Sequence, residues 1–357
     1  MYASGASSWL LTCYKSTVQD AMATFLVTGG AGFIGSHLCD TLLARGHRTL
    51  ILDDLSSGRI QNIAGIRSNR RLEFIPESIS NRAVLAELVD RADAIFHLAA
   101  TVGVFNIIES PVDTIENNIG GTELVLKMAA KKRKKVVITS TSEVYGKANA
   151  IPFREDGDLV FGPTSKSRWS YAASKVVDEF LALAYWREYR VPTVIARLFN
   201  TIGPRQIGRY GMVVPRFIKQ AASGQKITIY GSGRQSRCFS YVSDIVEWLI
   251  RLADDDRGVG EVYNLGNPEE VTINELARRV CAVTGAAPAF EYVPYSVAYL
   301  EGFEDMERRV PDITKIVSLT GRPPSVSLDQ ALRCTAEWFA RETAEEEIAV
   351  AAVNGNA

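Results

Sequence analysis

The stretch Thr24-Phe-Leu-Val-Thr-Gly-Gly-Ala-Gly-Phe-Ile-Gly35 decides the fold. Its first five residues are an apolar run bounded by glycine, the pattern of a buried strand. Glycines stand at 29, 32 and 35, and an apolar-periodic stretch that reads as a helix follows. In a strand-turn-helix unit the first glycine allows the tight turn and the second lets the backbone approach a pyrophosphate. The third lets the helix pack closely on the strand. Phe33 and Ile34 open that helix, whose free N–H groups and dipole receive phosphate charge. The unit also needs an acid near the end of the second strand. Asp53, in Ile51-Leu-Asp-Asp54, lies eighteen residues beyond Gly35. A carboxylate there accepts both ribose hydroxyls and repels a 2′-phosphate, so the reading is NAD rather than NADP, with Asp54 able to share the task.

Outward from this unit, short apolar runs alternate with helix-length amphipathic stretches. Strands are expected near 24 to 28, 48 to 53, 71 to 75, 93 to 98, 135 to 140 and 193 to 199. This alternation predicts an α/β fold, a Rossmann doubly wound parallel sheet over residues 22 to 200. After Thr201 the rhythm changes, with Gly203-Pro204, Gly266-Asn-Pro268 and Pro323-Pro324 punctuating shorter elements. Residues 201 to 341 therefore read as a smaller mixed α/β substrate lobe that can return strands to the sheet. Residues 1 to 21 show no period and read as a disordered extension, with Met22 as a candidate start. The tail 342 to 357 reads as frayed. The run Lys131-Lys-Arg-Lys-Lys135 falls where a helix ends, a place that favours cations, and is read as structural rather than as a nucleic-acid patch.

Composition narrows the partners. Forty basic and forty-one acidic residues give a formal net charge of −1, so no global field recruits nucleic acid or an anionic membrane. Any anionic ligand must be held locally. Cys13, Cys39, Cys238, Cys281 and Cys334 are scattered, with no CxxC pair and no cluster with the three histidines. The expectation is a protein of a reducing cytoplasm with no metal site. No apolar run approaches the ~20 residues of a membrane span.

Tyr171 and Lys175 lie four residues apart in a segment that reads as a helix, so both project from one face. A free phenol ionises near pH ~10. An adjacent ammonium and a positive nicotinamide ring are expected to draw it toward neutrality, making it a general base for a sugar hydroxyl. The fifth strand runs Val136-Val-Ile-Thr-Ser140 and ends in Thr141-Ser-Glu-Val-Tyr-Gly146. Ligands of open parallel sheets sit beyond the strands' carboxyl ends, which places these hydroxyls and Glu143 at a pocket.

Taken with Thr28 to Gly35, Asp53, His97-Leu-Ala-Ala100, Asn118 and Gly121-Thr122, these motifs resemble the extended short-chain dehydrogenases, or NAD-dependent epimerase/dehydratase family. The resemblance spans about Thr24 to Phe339. It implies that Thr141 hydrogen-bonds the sugar hydroxyl and Tyr171 removes its proton. Lys175 would tune Tyr171 and hold the nicotinamide ribose. It further implies cofactor contacts from Gly29, Gly32, Phe33, Ile34, Asp53, Ser78, Ile79, Leu98, Ala99, Asn118 and Ser140. One departure is Glu77-Ser-Ile79, where relatives usually carry Asp before the Ile; Ser78 is expected to meet the adenine instead.

In the second lobe the resemblance extends to Asn200-Thr-Ile-Gly-Pro-Arg205, Val214-Pro-Arg-Phe217, Ile229-Tyr-Gly231 and Arg237 to Asp244. It implies a nucleotide-diphosphate sugar, a UDP-sugar by preference, held by Asn200, Arg205, Val214, Tyr230, Arg237 and Arg309. Diphosphates need such forked cations. Gly162 to Tyr171 and Gly302 to Asp312 are similar to UDP-glucuronate decarboxylases, which would place Ser142, Glu143 and Arg309 among the catalytic residues. In that reading C4 is oxidised, the β-keto acid loses CO2, and the hydride returns. A 4-epimerase needs no further residue, and a 4,6-dehydratase would use Glu143 as base at C5. An NAD-binding regulator is the non-enzymatic alternative. The helical segments 109 to 130 and 169 to 190 are expected to form a four-helix homodimer interface.

Overall fold

Residues of the strand Thr24–Thr28 (β1) alternate between two cores. Phe25 and Val27 join one apolar cluster, and Leu26 joins another, as the two-residue period of a strand buried on both faces requires. The computed structural model describes residues 22–101, 110–208, 212–298 and 306–354. β1 is followed by helix α1 (Phe33–Ala44), β2 (Arg48–Leu52), β3 (Leu72–Ile75), α2 (Arg82–Arg91) and β4 (Ala94–His97). Next come α3 (Pro111–Ala130), β5 (Lys135–Thr141), α4 (Trp169–Tyr189), β6 (Thr193–Leu198), α5 (Val242–Asp254) and β7 (Val262–Leu265). These strands form one sheet in the order β7-β6-β5-β4-β1-β2-β3, with every neighbouring pair parallel.

One face of the sheet packs Leu38 and Leu42 of α1 and Trp248 of α5 against Val27, Ile51 and Phe96. The other packs Leu85 of α2, Val125 of α3 and Ala182 of α4 against Leu50, Ile95 and Ile138. The six strands read from the sequence are all present, with ends shifted by a residue or so. The seventh, β7, comes from the second lobe and pairs with β6. Most of the second lobe has its own core, built from the helices Val213–Ala222, Ile273–Thr284 and Leu328–Asn354.

The Lys131 to Lys135 run sits at the α3 to β5 corner, where Lys132 pairs with Asp90 and Lys135 with Asp256. The tail corrects the sequence reading. Helix continues from Leu328 to Asn354, through residues expected to fray, because Ala and Glu in Ala344-Glu-Glu-Glu-Ile-Ala-Val-Ala-Ala352 are strong helix formers. Glu342 also ties this helix to Arg59 at 2.7 Å. No described helix is long and apolar enough to cross a membrane. The proposed extension 1–21 and Cys13 lie outside the described residues, as does residue 109 of the first dimer segment.

The strand order reverses at β1, between β4 and β2, and a crevice opens beyond the carboxyl ends there. Gly29 ends β1 with φ of +72°, and a Cβ there would lie 2.8 Å from Ala99 N. A Cβ at Gly35 would fall 2.2 Å from Gly29 O. Both positions exclude any side chain.

Candidate active site

A cavity of about 730 Å3 runs from the glycine turn, past the ends of β4 and β5, into the second lobe. Its size lies within the ~300–1,000 Å3 typical of ligand sites. At the glycine end it is walled by Gly29, Gly32, Phe33 and Ile34. Helix α1 starts there on Gly32 with no side-chain cap, leaving its first N–H groups available to an anion. Asp53 lines the same end. Its Oδ2 accepts from Ala31 N at 2.8 Å and its Oδ1 from Leu55 N at 2.9 Å, so the carboxylate is fixed while each oxygen keeps acceptor capacity for a hydroxyl. Burial raises its pKa, against those backbone hydrogen bonds. Ser78, Ile79, Leu98, Ala99 and Ser140 continue the wall. These groups fit a dinucleotide in shape and in donor and acceptor type.

Asn118 stands behind this wall. It is buried, accepts from Thr101 N at 2.8 Å and donates to Thr101 O and Ser174 Oγ. Its action on the cavity passes through the Leu98 to Thr101 turn.

The reactive end gathers Thr141, Ser142 and Glu143 from the carboxyl end of β5 with Tyr171 and Lys175 from α4. Thr141 caps the short helical turn that follows, accepting from Glu143 N at 3.2 Å, and hydrogen-bonds Tyr171. The Tyr171 phenol is held well above its ordinary range by burial first, then by the Glu143 and Asp178 carboxylates, with Arg168 and Thr141 only partly opposing them. Lys175 Nζ is engaged by the buried Asp178 at 2.7 Å, and the positive charge of a bound nicotinamide would act on the phenol in addition.

Glu143 shows the opposite balance. Burial would raise its pKa, but Arg168, then Arg309, and more weakly Arg237 outweigh it and hold the carboxylate below its usual range. Arg168 makes a direct ion pair with Glu143, and Arg309 Nη1 stands 3.6 Å from it. Arg168 was not singled out in the sequence; its signal was its place three residues before Tyr171. Further into the second lobe Asn200, Arg205, Val214, Tyr230 and Arg237 all line the cavity. Asn200 donates to Cys238 O, Arg237 to Ser236 O and Glu307 O, and Arg205 pairs with Asp40. Arg216, inside a motif noticed in the sequence but given no role, lies over the Tyr230 ring at 3.9 Å, and both face the cavity.

A sequence profile of the NAD dependent epimerase/dehydratase family matches residues 25–266. The chain belongs to that family. It is accordingly an NAD-dependent enzyme, and the fit of the glycine turn and Asp53 agrees. The UDP-N-acetyl-α-D-glucosaminuronate decarboxylase of Bacillus cytotoxicus is 43% identical over 315 residues, 88% of this chain and 97% of that protein. UDP-glucuronic acid decarboxylase 1 of Danio rerio is 37% identical over 317 residues, 89% of this chain and 72% of that one. Among solved structures, the Bacillus cereus UDP-glucuronic acid 4-epimerase with UDP-glucuronic acid and NAD superposes with a TM-score of 0.80. It is 30% identical, covering 89% of this chain and 99% of that one.

Beneath the family's glycine turn, His97 bridges Thr28 Oγ1 at 2.8 Å and Thr122 Oγ1 at 3.2 Å. Burial, then Lys175, pushes its pKa down to about 3. The unfolded chain takes up this proton near pH ~6.5 and the folded chain only near 3. The stability this neutral histidine contributes is therefore fully present above pH ~6.5 and is lost as pH falls toward 3, by at most about 1.4 kcal/mol per pH unit. Urea unfolding at pH 5 and pH 7 should show a shallower pH dependence in His97→Asn than in the wild type. Equal dependence in both would assign the acid sensitivity to other groups.

Proposed function

We propose that the chain decarboxylates a UDP-linked uronic acid through a transient 4-keto sugar. The observation that carries this reading is the Glu143 carboxylate, held ionised by Arg168 and Arg309 beside Thr141 and Tyr171. A base for dehydration at C5 is served by a higher proton affinity than the arginines leave this carboxylate. Arginines converging on one carboxylate make an end of the cavity that suits a second carboxylate, that of the sugar. The decarboxylases of B. cytotoxicus and D. rerio among the relatives support the same choice. A 4-epimerase is the second reading, favoured by the B. cereus structure.

NAD bound here would supply an acceptor for the C4 hydride and its return. Gly29, Gly32, Phe33 and Ile34 would hold its pyrophosphate, Asp53 its ribose hydroxyls, and Ser78 and Ile79 its adenine. Thr141 orients the C4 hydroxyl, and Tyr171 takes the hydroxyl proton as the ketone forms. With C4 a ketone, the C5–C6 bond breaks, CO2 leaves, and its electron pair passes into the enolate spanning C4 and C5. Arg309 and Arg168 bind the carboxylate before it departs, Glu143 and Ser142 fix the ring, and C5 takes up one proton from solvent in place of CO2. Tyr171 gives its proton back to the C4 oxygen. Arg237, Arg205, Arg216 and Asn200 hold the diphosphate, with Val214 and Tyr230 against the base.

Progress curves with UDP-uronates and with UDP-glucose test this choice. Turnover confined to the uronates and accompanied by CO2 release is expected; uronate turnover without CO2, or equal turnover of the neutral sugar, would move the reading to epimerase.

The described cysteines Cys39, Cys238, Cys281 and Cys334 are free thiols, which suits the reducing cytoplasm we assign it. We also propose a homodimer through α3 and α4. These helices pack together, and each exposes an apolar pair three residues apart on one face, Val112 with Ile115 and Val177 with Phe180. Exposed apolar side chains grouped in this way mark association surfaces. Phe180→Glu should convert the wild-type dimer to monomer in sedimentation at micromolar concentration. A wild-type chain that sediments as a monomer would end this proposal.

A further inference from the structure

The sequence Lys175-Val-Val-Asp178 places an ammonium and a carboxylate three residues apart on α4, where helical neighbours meet. Nζ lies 2.7 Å from Oδ2, with the two side chains 3% and 0% exposed. The other Asp178 oxygen, Oδ1, is buried and meets no donor at hydrogen-bonding geometry among the described residues. The neighbouring Thr122 hydroxyl lowers the Asp178 pKa, but burial outweighs it and Lys175 together. Thr122 is also engaged by His97. A buried, half-satisfied carboxylate is costly, and an apolar residue would fill the position without that cost. The family mechanism used above gives Asp178 nothing to do.

We propose that Asp178 is a positioning residue that holds the Lys175 ammonium in part away from Tyr171, so that a lysine shared between two partners sets the strength of the base. The proposal rests on the assignment of Tyr171 and Lys175 made above but not on the identity of the sugar. The groups facing this trio come from four directions. Glu143 and Arg168 act on Tyr171 from the end of β5 and the approach to α4. His97 faces Lys175 from β4, and Thr122 and Glu179 act on Asp178 from α3 and α4. Asp178→Asn keeps the size and removes the charge. The ammonium then stands uncompensated near the phenol, and a carboxylate that favours the neutral phenol is gone. Both changes lower the pH at which Tyr171 ionises, by about one unit for a single charge at this range.

The test is calorimetric titration of NAD into the full chain from pH 6 to 10, with no sugar present. A phenolate beside the positive nicotinamide favours binding, and that charge brings the phenol of the complex below the range in which burial holds it in the free protein; affinity should therefore rise in a step as Tyr171 ionises in the complex, and the step should vanish in Tyr171→Phe. In Asp178→Asn the step is expected about one pH unit lower, and Asp178→Glu should return it toward the wild-type position. A step at the wild-type pH in Asp178→Asn, with affinity lowered evenly throughout, would make Asp178 merely structural and overturn the proposal. Should Asp178→Asn not fold, Asp178→Ser replaces it; if neither neutral variant folds while Asp178→Glu does, the carboxylate serves the fold and the proposal falls. A wild type without a step, or a step that survives in Tyr171→Phe, would remove the Tyr171 assignment and the proposal with it. Failure to decarboxylate any uronate would leave this result untouched.

Discussion

Tyr171→Phe should lower kcat by about 10²- to 10⁴-fold, the range of a positioned general acid or base, while NAD remains bound. The phenol is buried and touches Thr141, so removing one oxygen leaves the packing in place. Proton removal from the C4 hydroxyl and its return then lack a carrier. The same burial, reinforced by Glu143 and Asp178, raises the pKa of Tyr171. Activity limited by this base should therefore climb from neutral toward alkaline pH, where the phenolate fraction grows. Steady-state kinetics with a cofactor stoichiometry on the same sample checks both points. A loss below tenfold would assign the base elsewhere.

The largest effect on stability is expected at Arg197. Its guanidinium donates to Glu179 Oε2 at 2.7 Å and to the Tyr145 hydroxyl at 2.9 Å, and stands 4.8 Å from the centre of the Tyr145 ring. Glu179 also accepts from Ser140, and Tyr145 donates to Asn264 at 2.7 Å. Arg197 and Glu179 are 5% and 6% exposed. Arg197→Ala leaves a buried carboxylate without its counter-charge and removes a donor from the Tyr145 oxygen, at a cost of about 3–5 kcal/mol. Replacing Arg197 and Glu179 together by Met and Leu should recover most of that loss, because the desolvation of both charges disappears with the pair. Urea unfolding of the single and double variants reads it. A single variant with the wild-type midpoint would contradict the account of this core.

The two halves of the site differ in how openly the sequence announced them. The glycine turn and Asp53 answer to steric and charge requirements satisfied within about thirty residues of chain, so spacing alone carried them. Thr141, Tyr171 and Lys175 were found through motif order, which also places them at one end of the cavity. Arg168, Arg197 and Asp178 escaped for a common reason: each owes its role to a partner that packing brings near. Arg168 meets Glu143 across twenty-five positions and Arg197 meets Glu179 across eighteen. Asp178 is only three from Lys175, but the spacing says nothing about burial, which is what gives the pair its consequence. Lys175 lines the cavity with Tyr171 as the helical spacing implied, and the carboxylate that also holds it is the part the sequence left unmarked. The helical tail differs, because local propensity alone, in its Ala and Glu residues, is enough to continue the helix to Asn354.

The central claim, that the C5–C6 bond breaks, is tested most directly with UDP-glucuronate and UDP-N-acetylglucosaminuronate carrying 13C at C6. With the purified chain and NAD, NMR should show the label leaving as 13CO2 and bicarbonate in step with a UDP-linked sugar one carbon shorter. Label retained in a nucleotide sugar inverted at C4 would contradict decarboxylation and make the chain an epimerase.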